Sequence, residues 1–283
     1  MCAQRSPLIN VMLKAAEKAA KSLRRDFGEV EQLQVSLKSP GQFVSAADTR
    51  AEKVLRQELN EARPGYSFLL EEGGSIEGKD PRHRWIIDPL DGTTNFLNGL
   101  PHWCISIACE KDQEIIAGLI YDPVLDELFF AEKGKGAFMR NKRLRVSGCQ
   151  SLRRAIIGYN TPKAGQTGHN RAKNEIFEMS QRTSGLRQSG SAALDLAYVA
   201  AGRLDGFWEY GLSPWDVAAG YIIIKESGGF VTQANISHSG KDDPVFNRSI
   251  LASNQVLHQD IKQVLMQCAK ESSSQNKVAE SQG

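Results

Sequence analysis

The sequence of 283 residues predicts an α/β protein built of two subdomains. Two amphipathic helical patterns open the chain, and a run of short apolar strands follows them. From about Cys149, short strands alternate with helical patterns. We therefore expect subdomains over residues 1–147 and 148–270. The tail over residues 271–283 contains almost nothing apolar, so we expect it to be disordered.

Apolar residues at helical spacing predict the first two helices. Residues 8–27 carry an apolar stripe opposite lysines and arginines, and Gly28 follows as a helix-ending residue. The second helix is predicted over residues 48–62. Within it, Thr49 and Glu52 have the spacing of a capping box, which would place the helix start beside them.

Short apolar runs between turn residues predict the strands of both subdomains. In the first subdomain the expected strands are residues 66–70, 84–87, 103–110, 114–121, 127–132 and 136–140. In the second they are residues 155–159, 186–188, 206–209, 230–232 and 249–252, and the helices between and after them are residues 173–183, 191–201, 214–227 and 254–269.

Composition and charge exclude several classes of protein. The formal net charge is +2, which gives no strong electrostatic footprint for nucleic acid. No apolar run is long enough to span a bilayer, and the first residues lack a signal-peptide pattern. The five cysteines are scattered without a C-x-x-C pair, as is typical of reduced thiols in a cytoplasm. We expect a cytoplasmic protein without a membrane partner.

The first acidic element is the pair Glu71-Glu72, which directly follows the strand over residues 66–70. Open α/β sheets place their sites at the carboxyl ends of strands, so this strand can deliver a carboxylate to a site. The simpler explanation is a solvated acidic pair before a Gly-Gly turn, and taken alone the pair favours that explanation.

The second acidic element follows the apolar strand over residues 84–87. A proline after Asp88 stiffens the turn, so that Asp91 can fold back beside Asp88. Two carboxylates and the Leu90 carbonyl form an oxygen set that suits Mg²⁺, and the histidines show no zinc-type spacing. The backbone N–H groups after Asp91 can cradle a phosphate. The alternative is an Asp-Pro turn followed by an Asp-Gly turn, which does not account for so dense a cluster.

The third acidic element lies at the start of a helix. Ser213 fits the N-cap, Pro214 the first helical position, and Asp216 the third, a pattern that stabilises a helix without any further role. A carboxylate in a first helical turn can also bind a metal. The residues alone favour neither interpretation of Asp216.

Taken together, these elements resemble the inositol monophosphatase family of magnesium-dependent, lithium-sensitive phosphatases. The resemblance rests on residues 88–95, preceded by Glu71-Glu72 and followed by residues 215–220, and it extends from about residue 8 to residue 269. It implies a five-layered αβαβα sandwich and a homodimer. It also implies hydrolysis of a small phosphorylated polyol, with inositol monophosphate first, by water activated by two or three Mg²⁺ ions.

The resemblance further implies a role for each matching residue. The implied metal ligands are Glu71, Asp88, the Leu90 carbonyl, Asp91 and Asp216. The implied catalytic residues are Glu71, which positions the attacking water through a metal, and Thr93, whose hydroxyl pairs with Asp48. Phosphate would be held by the backbone N–H groups of Gly92 and Thr93, and the substrate would be contacted by Asp91, Ala192, Glu209 and Asp216.

Two segments depart from the family pattern. Residues 37–40 match the lysine-bearing loop before the second helix only approximately, and residues 160–170 do not align clearly. The same chemistry on fructose 1,6-bisphosphate, a 3′,5′-bisphosphonucleotide, NADP or histidinol phosphate therefore stays open. A binding role toward RNA or the transcription machinery is a further alternative. The basic residues 140–145 are better explained as a solvated hairpin turn.

Overall fold

The computed structural model describes residues 5–29, 35–39, 42–161, 169–234 and 243–280, which contain seven α-helices. The helices are α1 (Pro7–Phe27), α2 (Ala46–Ala62), α3 (Thr93–Leu97), α4 (His169–Arg182), α5 (Ala192–Ala200), α6 (Pro214–Glu226) and α7 (Gln255–Glu280).

Fifteen strands and a short 3₁₀ helix (Leu152–Arg154) complete the secondary structure of the described residues. Those of the first half are β1 (Val35–Ser39), β2 (Gln42–Ser45), β3 (Tyr66–Leu70), β4 (Gly74–Ile76), β5 (Asp80–Asp91), β6 (Cys104–Lys111), β7 (Glu114–Asp122), β8 (Glu127–Glu132), β9 (Gly136–Met139) and β10 (Lys142–Arg143). Those of the second half are β11 (Ile156–Tyr159), β12 (Gly185–Arg187), β13 (Gly206–Tyr210), β14 (Phe230–Thr232) and β15 (Ser249–Ser253).

The strands form one large sheet, one small sheet and a separate hairpin. The large sheet has eight strands in the order β10-β9-β8-β7-β6-β5-β3-β4, and the small sheet has five in the order β12-β11-β13-β15-β14. The hairpin pairs β1 with β2. Within the large sheet, β3 and β5 are parallel neighbours, so the ends of both strands reach the same edge.

Five layers follow from the way the helices cover the sheets. One apolar cluster joins α1 and α2 to one face of the large sheet. A second cluster places α5 and α6 between the two sheets, and a third joins α4 and α7 to the outer face of the small sheet. The observed order is therefore helix, sheet, helix, sheet, helix, which confirms the expected αβαβα sandwich.

The subdomain boundary near residue 147 stays a prediction. The large sheet ends with β10 and the small sheet begins with β11, so the two sheets lie on either side of that position. However, α5 and α6 belong to the second half of the sequence and pack on the large sheet as well as on the small one. The two halves thus share the core between the sheets.

Two local expectations differ from the structure. α2 begins at Ala46, two residues earlier than expected, so Thr49 and Glu52 lie inside the helix and the expected capping box is wrong. Glu52 instead accepts a hydrogen bond from the backbone N–H of Glu72 at 2.8 Å. The spacing of two residues does not reveal this contact with the segment after β3.

The end of the chain also differs from its expectation. The composition of residues 271–283 predicts disorder, whereas α7 runs to Glu280. Residues 271–280 continue a helix that is already formed on the apolar face of its first turns, and extending a helix costs far less free energy than nucleating one. None of the helices in the described residues combines the length and apolar character of a bilayer span.

Close packing between β7 and α6 sets the distance between the large sheet and the middle layer. A Cβ atom at Gly118 would lie 2.6 Å from Ile222 Cγ2 and 2.7 Å from the Ala219 carbonyl oxygen. The backbone of α6 cannot yield at such a distance without moving the helix.

We predict that Gly118→Ala lowers the free energy of unfolding by about 1–3 kcal/mol, because the extra methyl group overpacks this contact. Denaturant unfolding would measure the change. Gly148→Ala is the matched control, since a Cβ atom built at this exposed glycine meets no atom within 4 Å. Equal stability of the two variants would contradict the prediction.

Candidate metal and phosphate site

Asp88 and Asp91 belong to the carboxyl end of β5, rather than to a loop after the strand. β5 pairs with β6, and Asp88 lies opposite Ser106 while Asp91 lies opposite Cys104. Three steps along β5 thus match two steps along β6, which is the irregularity of a β-bulge. The bulge lets both carboxylates reach one side, and Asp88 Oδ1 accepts a hydrogen bond from the Leu90 N–H at 2.9 Å.

Asp216 approaches this pair from the first turn of α6. Its Oδ2 atom accepts a hydrogen bond from the backbone N–H of Ser213 at 2.7 Å, so Asp216 does cap the helix. The preceding residue is tied to the large sheet, because Ser106 Oγ donates to the Trp215 carbonyl at 3.2 Å. Carboxylate oxygens of Asp88, Asp91 and Asp216 lie within 4.8 Å of one another.

Asp91 is held by the N-terminal end of α5. Its Oδ2 atom accepts a hydrogen bond from Ser191 Oγ and another from the Ala193 N–H at 2.8 Å. The backbone N–H of Ala192 also favours the ionised form of Asp91. From the sequence, Ser191 is only part of a predicted helix start and has no further role. The sequence gives no sign of this role, because only the fold brings Ser191 into contact with Asp91.

Glu71 completes the acidic cluster from the end of β3. Its backbone N–H donates to the Ile87 carbonyl at 3.3 Å, which places it beside the end of β5. Its negative charge contributes to a raised pKa at both Asp88 and Asp216. Three chain segments, around residues 71, 88–91 and 216, therefore bring their acids to one place, as the sequence analysis expects.

The negative charges of the acidic cluster repel one another when no cation lies between them. Burial, and then the charges of Glu71, Asp91 and Asp216, raise the pKa of Asp88 well above its ordinary value. Burial and the charge of Asp91 do the same to the pKa of Asp216. Burial also raises the pKa of Asp91, although the hydrogen bond from Ser191 opposes the rise.

The donor set fits a hard divalent cation. It consists of carboxylate oxygens, which Mg²⁺ and similar ions prefer, and the oxygens are close enough to share one ion. Within the described part of the chain, no lysine or arginine forms an ion pair with Asp88, Asp91 or Asp216. Positive charge at this position would relieve their repulsion, and the acidic cluster can therefore hold a metal.

The turn after Asp91 brings backbone and hydroxyl donors beside the cluster. Gly92 has a φ of 93°, and a Cβ atom there would lie 2.9 Å from the His102 carbonyl oxygen, so the turn requires glycine. Thr93 Oγ1 lies 3.3 Å from Asp48 Oδ1 and 3.1 Å from the Leu90 carbonyl oxygen. The expected pairing of Asp48 with Thr93 is present.

Asn95 fastens the same turn to its surroundings. Its Nδ2 atom donates to the His102 carbonyl at 2.7 Å and to the Ser189 carbonyl at 2.8 Å. These bonds join the turn to the loop before β6 and to the segment before α5. From the sequence, Asn95 belongs to the motif but has no predicted role, because only the folded chain brings those two carbonyls together.

Glu209 faces the site from the end of β13 in the small sheet. Its Oε2 atom accepts a hydrogen bond from Asn160 Nδ2 at 2.8 Å. Burial raises the pKa of Glu209 well above its ordinary value, and the charges of Asp216 and Asp91 raise it further. Glu209 therefore lies within electrostatic reach of the cluster, where the sequence analysis expects a substrate contact.

Comparison with known proteins agrees with this arrangement. The sequence profile of the inositol monophosphatase family matches residues 4–273. An inositol-1-monophosphatase of Mesorhizobium japonicum is 54% identical over 253 residues, covering 89% of this chain and 94% of that protein. The Nus factor SuhB of Escherichia coli is 38% identical over 233 residues, covering 82% of this chain and 87% of that protein.

A solved structure shares the architecture over nearly its whole length. The extragenic suppressor protein suhB from Bartonella henselae superposes with a TM-score of 0.88 and 48% sequence identity, covering 92% of this chain and 98% of that chain. The likeness in sequence and in fold extends across both sheets and all five layers. The chain belongs to the inositol monophosphatase family.

Proposed function

We propose that the protein is a Mg²⁺-dependent phosphomonoesterase that hydrolyses inositol monophosphate to inositol and phosphate. The observation that carries the proposal is the convergence of Asp88, Asp91 and Asp216, with oxygens within 4.8 Å of one another, beside the turn at Gly92. Relatives of this chain at about half identity bear the name inositol-1-monophosphatase. Lithium sensitivity, a homodimeric state and a cytoplasmic location belong to the same proposal.

Each residue has a defined task in this reaction. Glu71, Asp88, the Leu90 carbonyl, Asp91 and Asp216 would hold two or three Mg²⁺ ions. When bound, these ions supply positive charge opposite the phosphate dianion and acidify the attacking water.

The chain supplies binding and orientation around the phosphate. The backbone N–H groups of Gly92 and Thr93 would donate to its oxygens. Asp48 Oδ1 and the Leu90 carbonyl oxygen both lie within hydrogen-bond distance of the Thr93 hydroxyl, so these two acceptors share its one proton. At the other end of the substrate, Glu209 would accept hydrogen bonds from hydroxyl groups of the polyol.

A second function deserves a test because of one group of relatives. Proteins named Nus factor SuhB are 38–42% identical to this chain, so a role with RNA or the transcription machinery is the alternative. The presence of the complete acidic cluster favours hydrolysis, since a protein that only binds a partner has no need of buried, mutually repelling acids. A phosphate-release panel over the candidate substrates, with and without Mg²⁺, separates the two functions.

We predict that turnover requires a divalent cation and that Asp91→Asn lowers kcat by about two orders of magnitude, a typical loss for one preorganised electrostatic group. An amide cannot supply the charge that holds the metal. Phosphate release measures both effects. The control is Asp26→Asn, which removes a buried acid of α1 that is paired with Arg50 of α2. Full activity in excess chelator would refute the metal-dependent mechanism.

We predict that Mg²⁺ raises the melting temperature at pH 7.5 and that this rise disappears in Asp88→Asn. Because the pKa values of Asp88 and Asp216 are raised in the folded state, metal-free protein binds more protons than the unfolded chain. Its stability therefore falls as pH rises from about 4 through the raised pKa values.

Thermal unfolding in chelator between pH 5 and pH 8 measures this effect as the difference between wild type and Asp88→Asn. The melting temperature of Asp88→Asn should rise relative to that of the wild type as pH rises, since the variant has one buried charge fewer. Asp26→Asn should keep the Mg²⁺-induced rise of the wild type. A difference that is constant with pH would mean that Asp88 does not bear the repulsion described above.

We predict that Glu209→Gln lowers the ratio of kcat/KM for inositol monophosphate to kcat/KM for a simple aryl phosphate by roughly tenfold to a hundredfold. The aryl phosphate offers no hydroxyl to Glu209, so the carboxylate can favour only the polyol. Steady-state kinetics on both substrates give the ratio. Equal losses on both would assign Glu209 to the metals or to the fold.

A further inference from the structure

Asn160 occupies a position where the small sheet delivers side chains to the site. It directly follows β11, and β11 runs parallel to β13 with Tyr159 opposite Trp208. The next step along both strands places Asn160 beside Glu209, at the carboxyl ends of two parallel strands. Asn160 Nδ2 donates to Glu209 Oε2 at 2.8 Å, and both residues are partly exposed.

The surroundings of Glu209 are otherwise acidic. Asp216, Asp91 and Asp195 all act against its ionised form, and Asn160 is the hydrogen-bond donor that favours it. Within the described residues, no lysine or arginine forms an ion pair with Glu209. The carboxylate is therefore held by a neutral donor, which stabilises its position and leaves its charge uncompensated.

The hydrogen bond between Asn160 and Glu209 leaves other polar atoms of these two side chains available to a ligand. Glu209 Oε1 makes no hydrogen bond within the described part of the chain, and the same holds for Asn160 Oδ1. The amide of Asn160 has a second N–H as well, since Nδ2 carries two hydrogens. A carboxylate oxygen, an amide oxygen and an amide N–H thus lie side by side. Adjacent hydroxyl groups of a polyol can both donate and accept hydrogen bonds, so they match this set of atoms.

We propose that Asn160 is a positioning and specificity-determining residue of the substrate site, which orients Glu209 and forms with it a subsite for the hydroxyl groups of a polyol. This inference rests on the proposed function. The carboxylate of Glu209 attracts hydroxyl donors and repels a second phosphate, and the neutral amide of Asn160 adds no positive charge that would offset this repulsion. The subsite therefore selects polyol monophosphates over bisphosphates. A cation at position 160 would do the reverse.

The test is a double-mutant cycle of Asn160→Leu and Glu209→Gln, read as the kcat/KM ratio of inositol monophosphate to an aryl phosphate in Mg²⁺. Leucine keeps the volume of the side chain and removes the donor. We expect Asn160→Leu to lower the ratio by about tenfold, and to lower it little further when Glu209 is already glutamine. The KM for inositol monophosphate should carry most of the change.

The matched control is Gln188→Leu, which removes another amide hydrogen bond of the same rim, from Nε2 to Thr161 Oγ1 at 3.4 Å. Its ratio should equal that of the wild type. If Asn160→Leu does not fold, Asn160→Ala removes the donor at smaller volume and serves in its place.

Each other outcome overturns the inference. An unchanged ratio in Asn160→Leu denies Asn160 a role in specificity. A loss that adds fully to that of Glu209→Gln means that Asn160 does not act through Glu209. A wild-type protein that hydrolyses fructose 1,6-bisphosphate as well as inositol monophosphate contradicts the selection against a second phosphate. Wild-type protein that releases phosphate from none of these substrates overturns the proposed function, and the inference with it.

Discussion

The mutual repulsion of buried carboxylates is the constraint on which the rest of the structure depends. Asp88 and Asp91 come from the large sheet and Asp216 from α6, so the cluster exists only while the middle helical layer stays docked on that sheet. Docking is maintained by neutral contacts: apolar packing of α6 on β7, and the hydrogen bond from Ser106 to the Trp215 carbonyl. The burial of apolar side chains between the two sheets thus offsets the repulsion among these three carboxylates.

The sequence predicts most of the architecture because apolar periodicity is a local property. β8 and β14 have the bounds expected from their apolar runs, and α1 ends at Phe27 as Gly28 indicates. The structure differs from the sequence prediction at α3 and at the start of α2. α3 is too short to show a helical period, and α2 begins at Ala46, two residues before the expected start.

The candidate site shows the same division between local and distant causes. A motif in one stretch of chain places Asp88 and Asp91 together, whereas the hydrogen bond from Asn160 to Glu209 joins residues 49 positions apart. The two interpretations of Asp216 are not alternatives in the folded chain. One oxygen accepts from the Ser213 N–H and the residue still faces the other acids, since a carboxylate has lone pairs enough for both.

The two sheets divide the work of the proposed reaction. The acids that would hold the metals come mainly from the large sheet, while the groups proposed to meet the polyol, Glu209 and Asn160, stand at strand ends of the small sheet. A substitution at position 160 changes one hydrogen bond at the rim and none of the contacts that hold Asp91 to α5. Substrate preference can therefore vary within this fold while the acidic cluster, and the layer packing that it requires, stay the same.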